Sequence, residues 1–349
     1  SLKVQREISP LQGLQARLVK DGVEVDFARG YVGDVTGAYN GVTTGQNLED
    51  KRSEAELIAE AVEKAKAADC VILFGGLNKS DYQDCEGHDR QQYELPYAQD
   101  KLITALAAAN KNFVYVNISG NAVAMPWRDK VPAIVQGWYL GSEAGEALAS
   151  VLTGDANPSG KLPFTWVKSL QDVGAHALNT YPGTWRKEGG SKTEGNIIDE
   201  EYKEGIYVGY RWADRKKQRP VFAFGHGLSY TQFAISNLRA DKASMTAADS
   251  ITFTVQVKNI GQRAGSETVQ LYVHDAKASV DRPLKELKGF SKVSLQPGES
   301  KDVSITLGKD ALSFYDEASA TWKAEAGQFE AWVGNASDNL KLKKTFELK

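Results

Sequence analysis

Between residues 53 and 153 the chain alternates two textures. Behind Ser53, with Glu56 three positions on, Leu57, Ile58, Ala61, Val62 and Ala65 recur at helical spacing, and the Ser/Glu pair is a capping-box signature. This predicts a helix that ends near Asp69. The run Cys70–Phe74 is short, apolar throughout and closed by Gly75 and Gly76, which suits a buried parallel strand better than a half-exposed antiparallel one. From Pro96 onward Leu102, Ile103 and Leu106 give a second helical face, followed by the apolar run Phe113–Ile118 and a shorter strand candidate, Ala133–Gln136. Gly141–Leu152, with Ala147, Leu148, Val151 and Leu152 on one side, predicts another helix that stops at Gly154. Upstream, Ser9 and Pro10 introduce a short helix over Leu11–Leu18, and an extended stretch follows over Val23–Tyr31. The βαβα alternation predicts an α/β fold with a mostly parallel sheet covered by helices on both faces.

Residues 154–232 are rich in Gly, Pro, aromatic and polar residues with little periodicity, and are expected to form long loops with a few short strands. The stretch EGGSKTEGN, 188–196, is expected to be the most mobile. After Phe233 the period becomes two. Ile251, Phe253, Val255 and Val257 alternate with polar residues, as do Val269, Leu271 and Val273, then Val303, Ile305 and Leu307, and finally Phe329, Ala331 and Val333. Strands at this spacing, with turns such as QPGES (296–300), predict an all-β sandwich of the cysteine-free, fibronectin type III-like kind. A length of 349 residues suits two domains. The expected division is an α/β domain over 1–166, a long-loop segment over 167–233 packed on it, and a β-sandwich over 234–349.

Charge and composition mainly exclude. With 42 basic and 45 acidic residues the formal net charge is −3, so no global field draws the chain to nucleic acid. No apolar run approaches the ~20 residues that span a bilayer, and SLKVQREISP lacks the apolar centre of a signal peptide, so a soluble chain is expected. Cys70 and Cys85 are too few for a disulfide framework and leave the compartment open. His176, His226 and His274 show no metal-ligand spacing, and no GxGxxG stands where a strand meets a helix; no metal and no cofactor are expected.

Candidate chemistry gathers in DYQDCEGHDR, residues 81–90, a polar loop at the carboxyl end of the first predicted strand of the repeat. Open α/β sheets bind ligands there, and loops of this length are uncommon in compact domains unless functional. Glu86 is the candidate catalytic acid: a loop carboxylic acid can protonate a glycosidic oxygen if a second carboxylate acts from the other face. Spacing alone also allows a solvated acidic residue here, and Asp81, Asp84 and Asp89 compete for the role. Asp89 beside Arg90 is expected to fix the loop by pairing and hydrogen bonding. His88 can donate to a sugar hydroxyl or tune the acid, or have no chemical task. Cys85 adjoins Glu86, but no Cys-His-Asn arrangement is legible around it. Sugar rings pack their C–H faces on aromatic rings, and Trp185, with Tyr82 behind it, is the substrate-binding candidate among tryptophans that are otherwise expected in the core.

Several stretches resemble one family. They are SPLQGL (9–14), CEGHDRQQYELPYAQDKLI (85–103), GSEAGEALASVLTGDANPSGKLPFT (141–165), EGIYVGYRW (204–212) and PVFAFGHGLSYTQF (220–233); LSFYD (312–316) and AGQFEAWVGNAS (326–337) extend the match. The chain resembles the C-terminal half of β-glucosidases and β-xylosidases of glycoside hydrolase family 3. The resemblance implies an (α/β)6-type sandwich followed by the fibronectin-like domain, both normally preceded by a (β/α)8 barrel. It implies a retaining double displacement in which a barrel aspartate attacks the anomeric carbon and Glu86, by its place in EGHDR, is the acid/base. The implied substrates are oligosaccharides with terminal β-linked glucose or xylose, or aryl β-glycosides. The family's histidine-aspartate dyad branch would carry its dyad on the barrel, and the loop glutamate favours the glucosidase and xylosidase branch.

Against that pattern the barrel, the first strand of the sandwich domain and the Gly-rich turn before SLKV are missing. The expectation is therefore that this chain alone does not catalyse, that its partner is the N-terminal barrel half, and that an unpaired sheet edge makes it poorly stable without it. The resemblance leans toward a periplasmic or secreted bacterial enzyme. The competing reading is a non-catalytic carbohydrate- or protein-binding module.

Overall fold

The computed structural model describes residues 6–33, 38–39, 42–43, 49–86, 89–186 and 197–349. His88 and the stretch 188–196 lie outside the described residues. The chain divides into two units, Ser1–Ala156 and Asn157–Lys349.

In the first unit, helix α1 spans Pro10–Leu18. The Ser9 hydroxyl accepts from the Gln12 backbone N–H at 3.3 Å, while the Gln12 side chain accepts from the Ser9 N–H at 2.9 Å. Helix α2, Glu54–Ala67, is opened in the same way by Ser53 and Glu56 and buries Leu57, Ala61 and Ala65. Strand β1 (Val71–Gly76), helix α3 (Gln99–Ala109), strand β2 (Phe113–Ile118), strand β3 (Ala133–Gln136) and helix α4 (Ala144–Thr153) follow. Helix α4 ends where Gly154 turns left-handed at φ 83°.

The sheet is parallel in the order β1-β2-β3, with Val71 opposite Phe113 and Val114 opposite Ala133. It has three strands among the described residues, fewer than the six of an (α/β)6 architecture. Val23–Tyr31 forms no regular strand. Helices α1 and α4 meet at backbone distance: a Cβ on Gly13 would stand 2.1 Å from the Gly145 carbonyl oxygen, and one on Gly145 2.2 Å from that of Ser9. Only glycine on both sides permits that approach.

The second unit starts at Asn157, ten residues before the boundary expected from the sequence, and takes the segment 167–233 with it. Residues 157–186 and 197–233 are fastened to the sandwich by side chains. Asn157 donates to the Ala264 carbonyl at 2.8 Å and accepts from the Ser229 hydroxyl and the Tyr230 N–H. Lys161 pairs with Glu267 at 2.8 Å, Tyr207 and Arg215 both reach Asp281, and Lys285 pairs with Asp214. The sandwich strands are β4 (Phe233–Ala240), β5 (Ser244–Met245), β6 (Ser250–Asn259), β7 (Gly265–Asp275), β8 (Glu286–Leu295), β9 (Ser300–Gly308), β10 (Gly327–Gly334) and β11 (Leu342–Leu348). One sheet runs β9-β6-β4 and the other β8-β7-β10-β11-β5. The alternating residues read from the sequence, Ile251 to Val257 and their counterparts on β7, β9 and β10, face one another as the core, joined by Phe346 and Leu348.

No helix among the described residues is long and apolar enough to cross a membrane, and no group of three metal-ligating side chains is found among them.

Candidate active site

The site is built on the carboxyl ends of β1, β2 and β3. Val71 N–H donates to the Asn112 carbonyl and Leu77 N–H to that of Ile118, so the odd-numbered residues of β1 turn their backbone toward β2. The even-numbered ones turn theirs to the outer edge. There Gln99, at the first position of α3 and fully buried, meets Gly76 with both halves of its amide: Gly76 N–H donates at 2.7 Å, and the Gln99 NH2 donates to the Gly76 carbonyl at 2.8 Å and to the Pro96 carbonyl at 3.0 Å. Gly76 is obligatory, at φ 130° with room for no Cβ within 2.0 Å of the Ile118 carbonyl oxygen. The strand end is thereby closed and the loop 77–98 starts from a fixed point.

Under the loops lies a buried polar chain. Tyr115 donates to Asn117 at 3.0 Å, Asn117 donates to Ser119 and Gln136 at 2.7 Å, and Gln136 donates back to the Ser119 carbonyl at 2.9 Å. Each group has its partner, so the network fixes the loops after β2 and β3 instead of destabilising them. Four non-glycine residues around these strand ends adopt positive φ: Tyr82 at 63°, Tyr97 at 60°, Ala98 at 54° and Trp138 at 52°. Each costs of order 1 kcal/mol, and such strain gathers where a ligand or a reaction dictates the backbone.

The loop itself is tied down on both sides of Glu86. Asp84, 9 % exposed, accepts from the Gly120 N–H at 2.6 Å, the Tyr139 hydroxyl at 2.9 Å and the Asn121 amide at 3.4 Å. Burial first, and then donation to Asp84, hold the Tyr139 phenol well above its ordinary range. Lys79 lies 4.5 Å over the Tyr139 ring. On the other side Arg90 donates to the Ala122 carbonyl at 2.6 Å and to those of Tyr93 and Gln92 at 2.9 and 3.2 Å. Burial lowers its pKa, and the negative charge of Asp84 opposes that shift. Glu86 itself is exposed, as are Tyr82 and Asp89. Beside the loop is a cavity of about 350 Å³ lined by Arg29, Tyr31, Phe74, Gly76, Asn78 and Tyr97. Tyr31 stacks on Tyr97 and burial pushes its phenol up to about 12.

Tyr82, Glu86, Asp89 and Arg90 therefore share one loop. Trp185 belongs to the second unit, where it is half-buried in a two-residue ladder, Thr184–Trp185 against Ile198–Asp199, clamped by the Arg186–Asp199 pair. Asp84, read from the sequence only as a rival acid, has both oxygens occupied in the structure. Tyr139, Gly120, Asn121 and Gln99 were not legible as site residues. The available signal was their position, since each follows or flanks a predicted strand end.

The sequence profile of the Glycosyl hydrolase family 3 C-terminal domain matches residues 1–210. The chain belongs to this family. The profile of the Fibronectin type III-like domain matches residues 267–337 of the sandwich. A β-glucosidase of Bacteroides ovatus is 46 % identical over 99 % of this chain, and the thermostable β-glucosidase B of Acetivibrio thermocellus is 42 % identical over 86 % of it. Among solved structures, a family 3 β-glucosidase of Bifidobacterium adolescentis matches 99 % of the chain with a TM-score of 0.82 at 34 % identity. A β-glucosidase of Kluyveromyces marxianus, in complex with glucose, matches 86 % with a TM-score of 0.77 at 38 % identity. The family 3 chain spans less than half the length of these relatives: 44 %, 38 %, 46 % and 34 % in the same order.

Proposed function

We propose that this chain is the acid/base-bearing part of a retaining, exo-acting β-glycosidase that releases terminal β-linked glucose or xylose. Its likeness to β-glucosidases favours glucose. The observation that carries the reading is the position of Glu86, exposed within a loop whose flanks are fastened by Asp84 and Arg90 at the carboxyl edge of a parallel sheet. The nucleophile is an aspartate of a (β/α)8 barrel half that completes the site. As it attacks the anomeric carbon, the Glu86 carboxylic acid protonates the departing oxygen. Glu86, now ionised, takes a proton from water as that water displaces the sugar from the nucleophile.

The test is Glu86→Ala in the assembly that contains both halves. Alkyl β-glucosides should be hydrolysed about 10²- to 10⁴-fold more slowly, as for loss of a general acid. A dinitrophenyl β-glucoside, whose leaving group needs no proton, should form the glycosyl-enzyme at near-normal rate and be turned over faster when azide is added, yielding the β-glycosyl azide. Equal losses on both substrates, with no azide product, would remove Glu86 from the mechanism.

A further inference from the structure

Asp84 stands two residues before Glu86, so their Cα atoms are at most ~7 Å apart. Its carboxylate is buried, yet it has neither a Lys nor an Arg as hydrogen-bond partner among the bonds it makes; it is held by an N–H from the loop after β2, an amide from the same loop and a hydroxyl from the loop after β3. A buried carboxylate is an expensive way to join three loops that uncharged groups could join. It is well suited to fixing one geometry, because ionised acceptors make short bonds, here 2.6 Å to Gly120. Tyr139, its partner, follows directly on Trp138, one of the left-handed residues, so backbone strain and side-chain bond act on the same point.

We infer that Asp84 is a positioning residue for the acid/base step: its bonds to Gly120, Asn121 and Tyr139 tie the loop of Glu86 to the ends of all three strands and set where the Glu86 carboxyl stands over the leaving group. This rests on the reading of Glu86 as the acid/base. Asp84 does not touch the substrate; it acts through the loop.

The experiment compares Asp84→Asn, Tyr139→Phe and Glu86→Ala in the assembly of both halves, on an alkyl and a dinitrophenyl β-glucoside. Asp84→Asn keeps the shape and removes the charge. It should lower kcat/KM for the alkyl glucoside about 10- to 100-fold, the scale of a misplaced reacting group, and leave the dinitrophenyl glucoside within about threefold. Tyr139→Phe removes a single donor and should show a smaller loss of the same selectivity, which keeps the test open should Asp84→Asn fold poorly. Adding Asp84→Asn to Glu86→Ala should cost less than about twofold more on the alkyl glucoside, since both changes disable one step. If Glu86→Ala shows leaving-group dependence while both other variants slow the two substrates equally, or neither, the positioning role is refuted and the acid/base assignment stands. If Glu86→Ala itself lacks that dependence, the underlying reading falls.

Discussion

Replacing Gln99 by Met tests whether one side chain closes the edge of the parallel sheet. Gln99→Met keeps roughly the length and volume of the side chain while removing its amide. The Gly76 N–H and carbonyl, on a buried residue, then lose the partner they have at 2.7 and 2.8 Å, while the Pro96 carbonyl loses the side-chain donor and keeps the Gln99 backbone N–H at 3.3 Å. A buried donor or acceptor left unmet costs about 1 to 3 kcal/mol, so the two Gly76 groups together cost about 2 to 6 kcal/mol; the Pro96 carbonyl, still bonded by the Gln99 N–H, adds little. For a unit of roughly 150 residues, about 3 kcal/mol lowers Tm by about 6 to 12 °C. The assay is scanning calorimetry, with hydrogen exchange of the 71–78 peptide assigning the transition to this unit. Gln99→Glu is the companion: it keeps an acceptor for Gly76 N–H, loses both donors and brings in a buried charge, so it should be at least as destabilising at neutral pH. A Tm for Gln99→Met within about 1 °C of the parent, with the Gly76 amide equally protected, would show that the edge is satisfied in some other way.

Two further outcomes follow from the same kind of accounting. In the second unit, Lys161→Met leaves the nearly buried Glu267 carboxylate, which also accepts from Thr268 N–H and Asn335, without its cation; it should cost about 3 to 5 kcal/mol in urea unfolding, and Lys161→Met with Glu267→Met should recover most of that loss. On the first unit's surface Arg17, and next Thr153, hold the Asp155 carboxyl at about 2, below the ~3.9 of an unfolded aspartate. The pair therefore stabilises above about pH 4 and stops doing so as pH falls through about 2, so the Tm gap between the chain and Arg17→Gln should close over that interval.

The elements were legible wherever periodicity and punctuation agreed. The capping residues Ser9 and Ser53, the all-apolar strands and the stop at Gly154 located the helices and the parallel sheet within a few residues. Strands β4, β8 and β11 were not legible. β8 lies at a sheet edge with Phe290 exposed and β11 buries only Phe346 and Leu348, so neither shows clean alternation. The earlier boundary at 156 depends on long-range side-chain bridges such as Asn157 to Ala264, which no local pattern reveals. At the site, the loop and its glutamate stood out because a polar stretch follows a buried strand. The bonds that fix the loop join Asp84 to residues 36, 37 and 55 positions away, beyond the reach of any spacing rule.

The pairing of β5 with β11 governs the order in which the chain can assemble. In the first unit each strand of the parallel sheet pairs with the next one in sequence, so its contacts close as synthesis proceeds. In the sandwich, Ser244 and Met245 pair with Glu347 and Leu348, a loop of about a hundred residues that closes only when the last strand is present. The α/β unit can thus be structured on the ribosome while the sandwich still waits with Met245 and the inner faces of β6 and β7 exposed. In that interval, rather than in the finished fold, those apolar strand faces offer the kind of surface on which partly folded chains associate.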